Sequence, residues 1–288
     1  MACRTCGNGA LGNTAASYYE NMMLAAPWRV LLARTNHSAQ QLLGQWWKLL
    51  HLAAQLLVLA LSPSSYKPAD RLALARHLYD NTAPIMLGFT LLCALVSLVL
   101  TRIVVTTALS YGLSQYAMQV VIRVLVLELI PLTAALFVAL RCTIPDGAEL
   151  AEMQASGALT AQRQRGINPM AREVLPRVMA GIFSTITLAV LSCAVALIVA
   201  YVVVYGFNLS GFAGYTRLFG QVFSPAVTLI FLMKTLLLSL VVSLIPMASA
   251  LYGNAVNNTR TSAEMRGLVR MFALLLLVEV VSLVGNYY

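Results

Sequence analysis

The sequence predicts an all-α integral membrane protein, and three observations carry that prediction. Of 288 residues, 60% are hydrophobic and only 10% charged, with a mean hydropathy of +0.80. A soluble domain averages about 25% charged residues, so this chain has too little charge to cover a surface facing water. Its apolar residues gather into five runs, each near the roughly 20 residues a helix needs to cross a bilayer. Lys and Arg between those runs alternate between poor and rich along the chain, as the positive-inside rule requires of successive loops. The net charge of +9 then reflects basic loops on one side of a membrane and implies no nucleic-acid partner.

Residues 1–38 are a polar N-terminal segment without clear periodicity. Gly7-Asn8-Gly9-Ala10-Leu11-Gly12 matches G-x-G-x-x-G, and Gly7 to Thr14 resembles a P-loop with Asn13 in place of its Lys. No strand precedes this stretch, no βαβ unit follows and the phosphate-binding Lys is missing, so a Gly/Asn leader is expected rather than a nucleotide site. Cys3-x-x-Cys6 supplies two thiolates where a structural zinc site needs four ligands, so no metal is expected. The first 25 residues show no basic n-region followed by an apolar h-region, so no cleavable signal peptide is expected.

Residues 39–61 read as an amphipathic helix. Gln41, Gln45, Lys48, His51 and Gln55 fall within an arc of about 120° at 100° per residue, while Trp46, Trp47 and leucines fill the rest. A polar stripe with Trp and Lys suits a helix lying in the membrane interface. A first full span is the alternative, and its stripe would then have to face protein.

Residues 62–288 hold the spans. A polar connector over 62–82 carries Lys67, Arg71 and Arg76. Spans are expected at 84–105, 117–142, 178–206, 225–252 and 268–286, with a polar loop over 143–175 and a Gly- and Phe-rich loop over 207–224. The loop 106–116 has no Lys or Arg, whereas the next holds Arg163, Arg165 and Arg172, flanked by Arg141 and Arg177. Arg217 stands alone in the third loop, Arg260 with Arg266 and Arg270 marks the fourth, and the tail has none. Five spans with a cytoplasmic N-terminus and a periplasmic C-terminus satisfy every loop.

Four ionisable residues fall at membrane depth: Arg123, Glu128, Lys234 and Glu279. Such groups cost several kcal/mol and usually face a cavity or a partner. Arg123 is close enough to the end of its span to snorkel. Lys234 can pair with Glu128 or Glu279, as a structural bridge or as part of a gating or substrate-contact site. Glu128 stands three residues before Pro131 in an otherwise apolar stretch, and breaks of that kind often line cavities. His37, His51 and His77 all precede the first span, and neither G-x-S-x-G nor H-E-x-x-H occurs, so no enzyme is expected.

Within 143–175, the stretch from Ala148 is helix-prone and Gly166-Ile167-Asn168-Pro169 reads as a turn. Such a helix is either a solvated connector or the piece a permease docks into a separate ATPase. Leu127-Glu128-Leu129-Ile130-Pro131, Arg141, Ala148-Glu149-Leu150 with Met153, Gly166 to Pro169, and Pro176-Arg177-Val178-Met179-Ala180-Gly181 follow one another in a telling order. From about residue 70 onward the chain resembles, as a divergent member, the MlaE/YrbE permeases of MCE (mammalian cell entry) lipid-transport systems. Those carry R-E-L-G-P, G-R, A-E-(I/L)-x-x-M, G-x-x-P and P-R-x-x-A-G in this order. Leu127 replaces the Arg of the first motif and Ile130 its Gly, Leu140 replaces the Gly before Arg141, and Gly157-Ala158 stands where an E-Q pair is usual.

The resemblance implies a transmembrane permease subunit that moves phospholipid or a similar amphiphile. It implies a homodimer in the bacterial inner membrane, a cytoplasmic ATPase dimer that binds the ATP, and a periplasmic MCE-domain hexamer. No cofactor is expected on this chain itself. Glu128, Lys234, Glu279 and Arg123 become candidates for the lipid cavity or its gate, and Glu149, Glu152, Met153, Gln154 and Arg141 for coupling to the ATPase. A non-transporting membrane scaffold, with the buried charges as structural pairs, is the alternative from another class.

Overall fold

In the computed structural model the described residues are 44, 46–60, 68–208, 211–252 and 260–287, and all regular structure among them is helical. Cys3, Cys6, the Gly7–Thr14 motif, His37, Gln41, Gln45 and Lys67 lie outside the described residues. The chain divides into two units, residues 1–51 and residues 52–288. An apolar helix, α1, runs over Trp46–Ala60. Trp46, Trp47, Lys48 and His51 are exposed on its first turns, and Leu52 and Leu56 are buried further along.

Five helices are long and apolar enough to cross a membrane: Thr82–Ser110, Tyr116–Ala155, Met170–Tyr205, Pro225–Tyr252 and Met265–Asn286. The first is the apolar part of α2 (Pro68–Ser110), whose 43 residues make about 65 Å at 1.5 Å per residue. That is about twice the hydrocarbon thickness of a bilayer. The expected polar connector is therefore helix from Pro68 onward. Polarity marks contact with water and does not stop a helix; Pro68 is suited to a first turn, and Ala, Leu and Arg then favour continuation.

The second span is built from several pieces without interruption. α3 (Ser114–Val120) leads into a π-helical stretch, Val121–Leu129, then α4 (Ile130–Val138), a second π-helical turn, Ala139–Thr143, and α5 (Ile144–Ala155). Where a loop was expected to begin at 143, the chain stays helical for a further three turns. Gly157, with φ of 74°, ends α5 in a conformation that favours glycine. α6 (Ala158–Gln164) follows, then a turn with Gly166 at φ 74°. A π-helical turn, Met170–Val174, enters α7 (Leu175–Tyr205). The expected loop over 207–224 contains a helix, α8 (Phe212–Val222), whose Tyr215 hydroxyl donates to the Leu197 carbonyl at 3.0 Å. α9 (Pro225–Tyr252) and α10 (Arg260–Tyr287) complete the chain.

α7 packs along α2 and also meets α4 and α9, while α9 carries α10 on another side. The contacts are made by small side chains: Ala134, Ala135, Ala139, Ala180, Ala189, Ala196 and Ala200 are wholly buried. Small residues let helix backbones approach closely where no hydrophobic effect draws them together. Thr82 of α2 and Ser184 of α7 share a buried hydrogen bond of 2.6 Å, of a kind worth about 0.6 kcal/mol between membrane helices. The outward faces are apolar instead: Leu87, Leu91, Leu95 and Val99 recur every four residues along α2 and are all exposed. A patch of that extent in water would aggregate; in hydrocarbon it is the natural surface.

Candidate functional site

The site begins with what Pro131 does to the second span. Proline has no N–H, so the carbonyl four residues back, Leu127, loses its helical donor. The preceding stretch is wound five residues per hydrogen bond, and Ile130 N–H reaches the Leu125 carbonyl. In that register the next pair would be Pro131 to Val126, which again lacks a hydrogen. Two adjacent carbonyls in an apolar stretch would each cost several kcal/mol unmet. Both are met from other helices. Cys193 of α7 donates its Sγ–H to the Val126 carbonyl at 3.4 Å, and Lys234 of α9 donates Nζ–H to the Leu127 carbonyl at 3.3 Å.

The same Lys234 ammonium joins two acids. It is bonded to Glu128 in the π-helical stretch and lies 2.8 Å from Glu279 Oε1 of α10. Asn286, two turns beyond Glu279, donates Nδ2–H to Glu128 Oε1 at 3.4 Å. The Lys234 side chain is 1% exposed, and Glu128 and Glu279 are nearly as enclosed at 11% and 13%. Glu279 Oε2 is buried with no hydrogen-bond partner among the described residues. Three spans thus meet at one cluster in which two carboxylates share one ammonium. Each charge is held by partners that keep it tolerable away from water.

Of the four ionisable residues the sequence singles out, the structure brings Glu128, Lys234 and Glu279 together and leaves Arg123 apart. Arg123 is half-buried one turn earlier and takes part in no ion pair among the described residues. Sequence reading missed Cys193, which looks like any small apolar residue, and Asn286. A signal for Asn286 existed: it follows Glu279 by seven residues and so shares its helix face.

A second cluster fixes α5. Arg177, in the first turn of α7 and 4% exposed, pairs with Glu149 of α5 at 3.3 Å and with Glu173 at 3.2 Å. It also approaches Met153 Sδ at 3.9 Å. Gln154 Nε2 donates to the Leu251 carbonyl at the end of α9 at 3.0 Å. Gly147 lies so close to Pro246 of α9 that an added Cβ would sit 3.1 Å from the Pro246 Cβ. Glu149, Met153 and Gln154 of the expected coupling set are therefore tied to neighbouring helices. Glu152 and Arg141 are exposed, with no ion pair among the described residues. Arg177 was visible in sequence as part of the P-R-x-x-A-G motif and as a basic residue flanking the loop, with nothing to mark its carboxylate partners.

The profile of the Permease MlaE family matches residues 74–284. The chain belongs to the MlaE permease family. No curated protein matches the sequence. The MlaE match runs from before Glu128 and Glu149 through Arg177 to beyond Lys234 and Glu279, and it includes the first four long apolar helices whole and the last as far as residue 284, so that Asn286 falls just outside it. As an MlaE permease the chain is a multi-pass membrane subunit of lipid transport and not itself an enzyme. The resemblance read from its motifs is thereby established.

Proposed function

We propose that the protein moves phospholipid or a similar amphiphile between the bacterial inner membrane and the periplasmic side. It works as a homodimer driven by a separate cytoplasmic ATPase dimer and feeding, or fed by, a periplasmic hexamer of MCE-domain proteins. The observation that carries this reading is the MlaE match over residues 74–284. The buried cluster supports it. Ions kept at membrane depth commonly mark a transport path, and here they gather beside a broken helix, where spans tend to line cavities. Glu128, Lys234 and Glu279 form the wall or gate of the lipid path in this reading. Arg123 contributes a cation nearer its end, and α1 lies in the interface with its polar stripe toward water.

The Lys/Arg pattern supports an orientation with the N-terminus in the cytoplasm and the C-terminus in the periplasm, and in this reading α5 and α6 are on the cytoplasmic side. α5 then offers Glu149, Glu152, Met153, Gln154 and, beside it, Arg141 to the ATPase. Closure of the nucleotide sites would push α5, and through it the spans. The binding of ATP belongs to that partner, and this chain needs no cofactor of its own.

The test uses the complex purified with its ATPase and reconstituted into vesicles. Glu128→Ala is expected to lower lipid transfer about tenfold or more, as loss of a functional intramembrane charge should. Met153→Asp is expected to abolish stimulation of ATP hydrolysis by the permease while the chain remains folded, because it replaces an apolar half-buried contact on α5 with a carboxylate beside Arg177 that competes with Glu149 for the guanidinium. If transfer and stimulation both survive both changes, the mechanism is wrong. Survival of transfer alone in Glu128→Ala would assign the ion cluster to scaffolding.

A further inference from the structure

We infer that Arg177 is a positioning residue: it latches α5 to the start of α7, so that α5 and two spans move as one body. The inference rests on the proposal that α5 receives the stroke of an ATPase.

The latch follows from helical spacing. Glu149 and Met153 are four apart on α5 and so share a face, and that face meets Arg177. Glu173 is four residues before Arg177 on the same continuous helical run, and it holds the guanidinium from behind through both its side chain and its carbonyl. Gln162 of α6 donates to the other Glu173 oxygen at 3.2 Å, which draws α6 into the same network. A guanidinium can serve two carboxylates at once with separate N–H groups, whereas an ammonium is a point charge without that fork.

The two arms of the latch differ. Glu173 is 18% exposed and stays with Arg177 through local geometry, whereas Glu149 is 62% exposed. Movement of α5 away from α7 needs only the outer arm to open. Meanwhile α9 grips α5 independently through the close Gly147–Pro246 approach and the Gln154–Leu251 bond. α5 is thus fastened at one side to the beginning of the third span and at the other to the end of the fourth. α5 also continues the second span without a break, so without Arg177 a force on α5 still reaches that span and α9, but the direct tie from α5 to the start of α7 is lost.

The test has one arm without the ATPase and one with it. In the full-length chain in nanodiscs, hydrogen exchange over residues 144–155 is expected to rise about tenfold in Arg177→Met. It should rise less in Arg177→Lys and in Glu149→Gln, whose exposed position spares folding. Arg177→Met combined with Glu149→Gln should exchange no faster than Arg177→Met alone, since both remove one interaction. Unchanged exchange in Arg177→Met, or additive effects in the double variant, would overturn the latch. In the second arm, Arg177→Met should lower lipid moved per ATP hydrolysed by about fivefold or more, and Arg177→Lys should recover part of it. An unchanged ratio, with 144–155 loosened, would overturn the transmission. If no ATPase engages the wild-type chain, the proposed function fails, while the exchange data still decide the latch.

Discussion

Lys234→Met is expected to destabilise the protein by about 3–5 kcal/mol, the range found when one member of a buried ion pair is removed. Met fills the volume of the Lys stem, so the loss is electrostatic rather than a cavity. Glu128 and Glu279 would face each other without their shared cation. The Leu127 carbonyl would lose its donor as well, with Pro131 unable to replace it. A drop of about 10 °C in the thermal midpoint should be read in detergent or nanodiscs, at the 2–4 °C per kcal/mol of proteins near this size. Adding Glu128→Gln and Glu279→Gln to Lys234→Met should restore most of the midpoint, because neutral partners need no counter-charge. Lipid transfer should stay low in that triple variant if the charges serve transport. A midpoint for Lys234→Met within about 1 °C of wild type would show that the cluster contributes little to holding the three spans together.

Much of this cluster was legible in advance, and the reason is cost. An ion in an apolar run stands out because it is expensive there, so Glu128, Lys234 and Glu279 identify themselves. Sequence left open which acid Lys234 takes; it takes both. The π-helical winding of Val121–Leu129 left no mark of its own, because a change from four to five residues per hydrogen bond alters no side chain. Pro131 marked the place but not the remedy, and Cys193 is indistinguishable in hydropathy from its neighbours. The same distinction explains the elements. Apolar runs marked the five spans, since burial in lipid is read from composition. The helical continuation over 68–82 was read as a connector, and within 143–155 only the part from Ala148 was read as helix-prone, because polar residues report their solvent and are silent about backbone conformation.

Gly181→Val is expected to cost as much as any single change, at least 3 kcal/mol, because overpacking of 1–3 kcal/mol here meets a contact that cannot yield. A Cβ at Gly181 would lie 2.6 Å from Ser243 Oγ, 2.8 Å from Thr143 Cγ2 and 3.3 Å from Ser243 Cβ. The Ser243 hydroxyl has no hydrogen-bond partner among the described residues, so it can turn aside at little cost. Thr143 is wholly buried and β-branched, which leaves its methyl nowhere to go. Gly181→Ala alone should therefore cost about 1–3 kcal/mol, and adding Thr143→Ser should recover more of it than adding Ser243→Ala. Gly88→Val is the control, since nothing lies within 4 Å of a Cβ there. Thermal midpoints of the purified variants decide the matter, and equal midpoints for Gly181→Val and Gly88→Val would refute the close crossing. Gly181 stands one helical turn beyond Arg177, where α7 meets both the Ala139–Thr143 turn leading into α5 and α9. Loosening that crossing, with Arg177 intact, should also reduce lipid moved per ATP, because the latch can transmit motion only to spans packed without play.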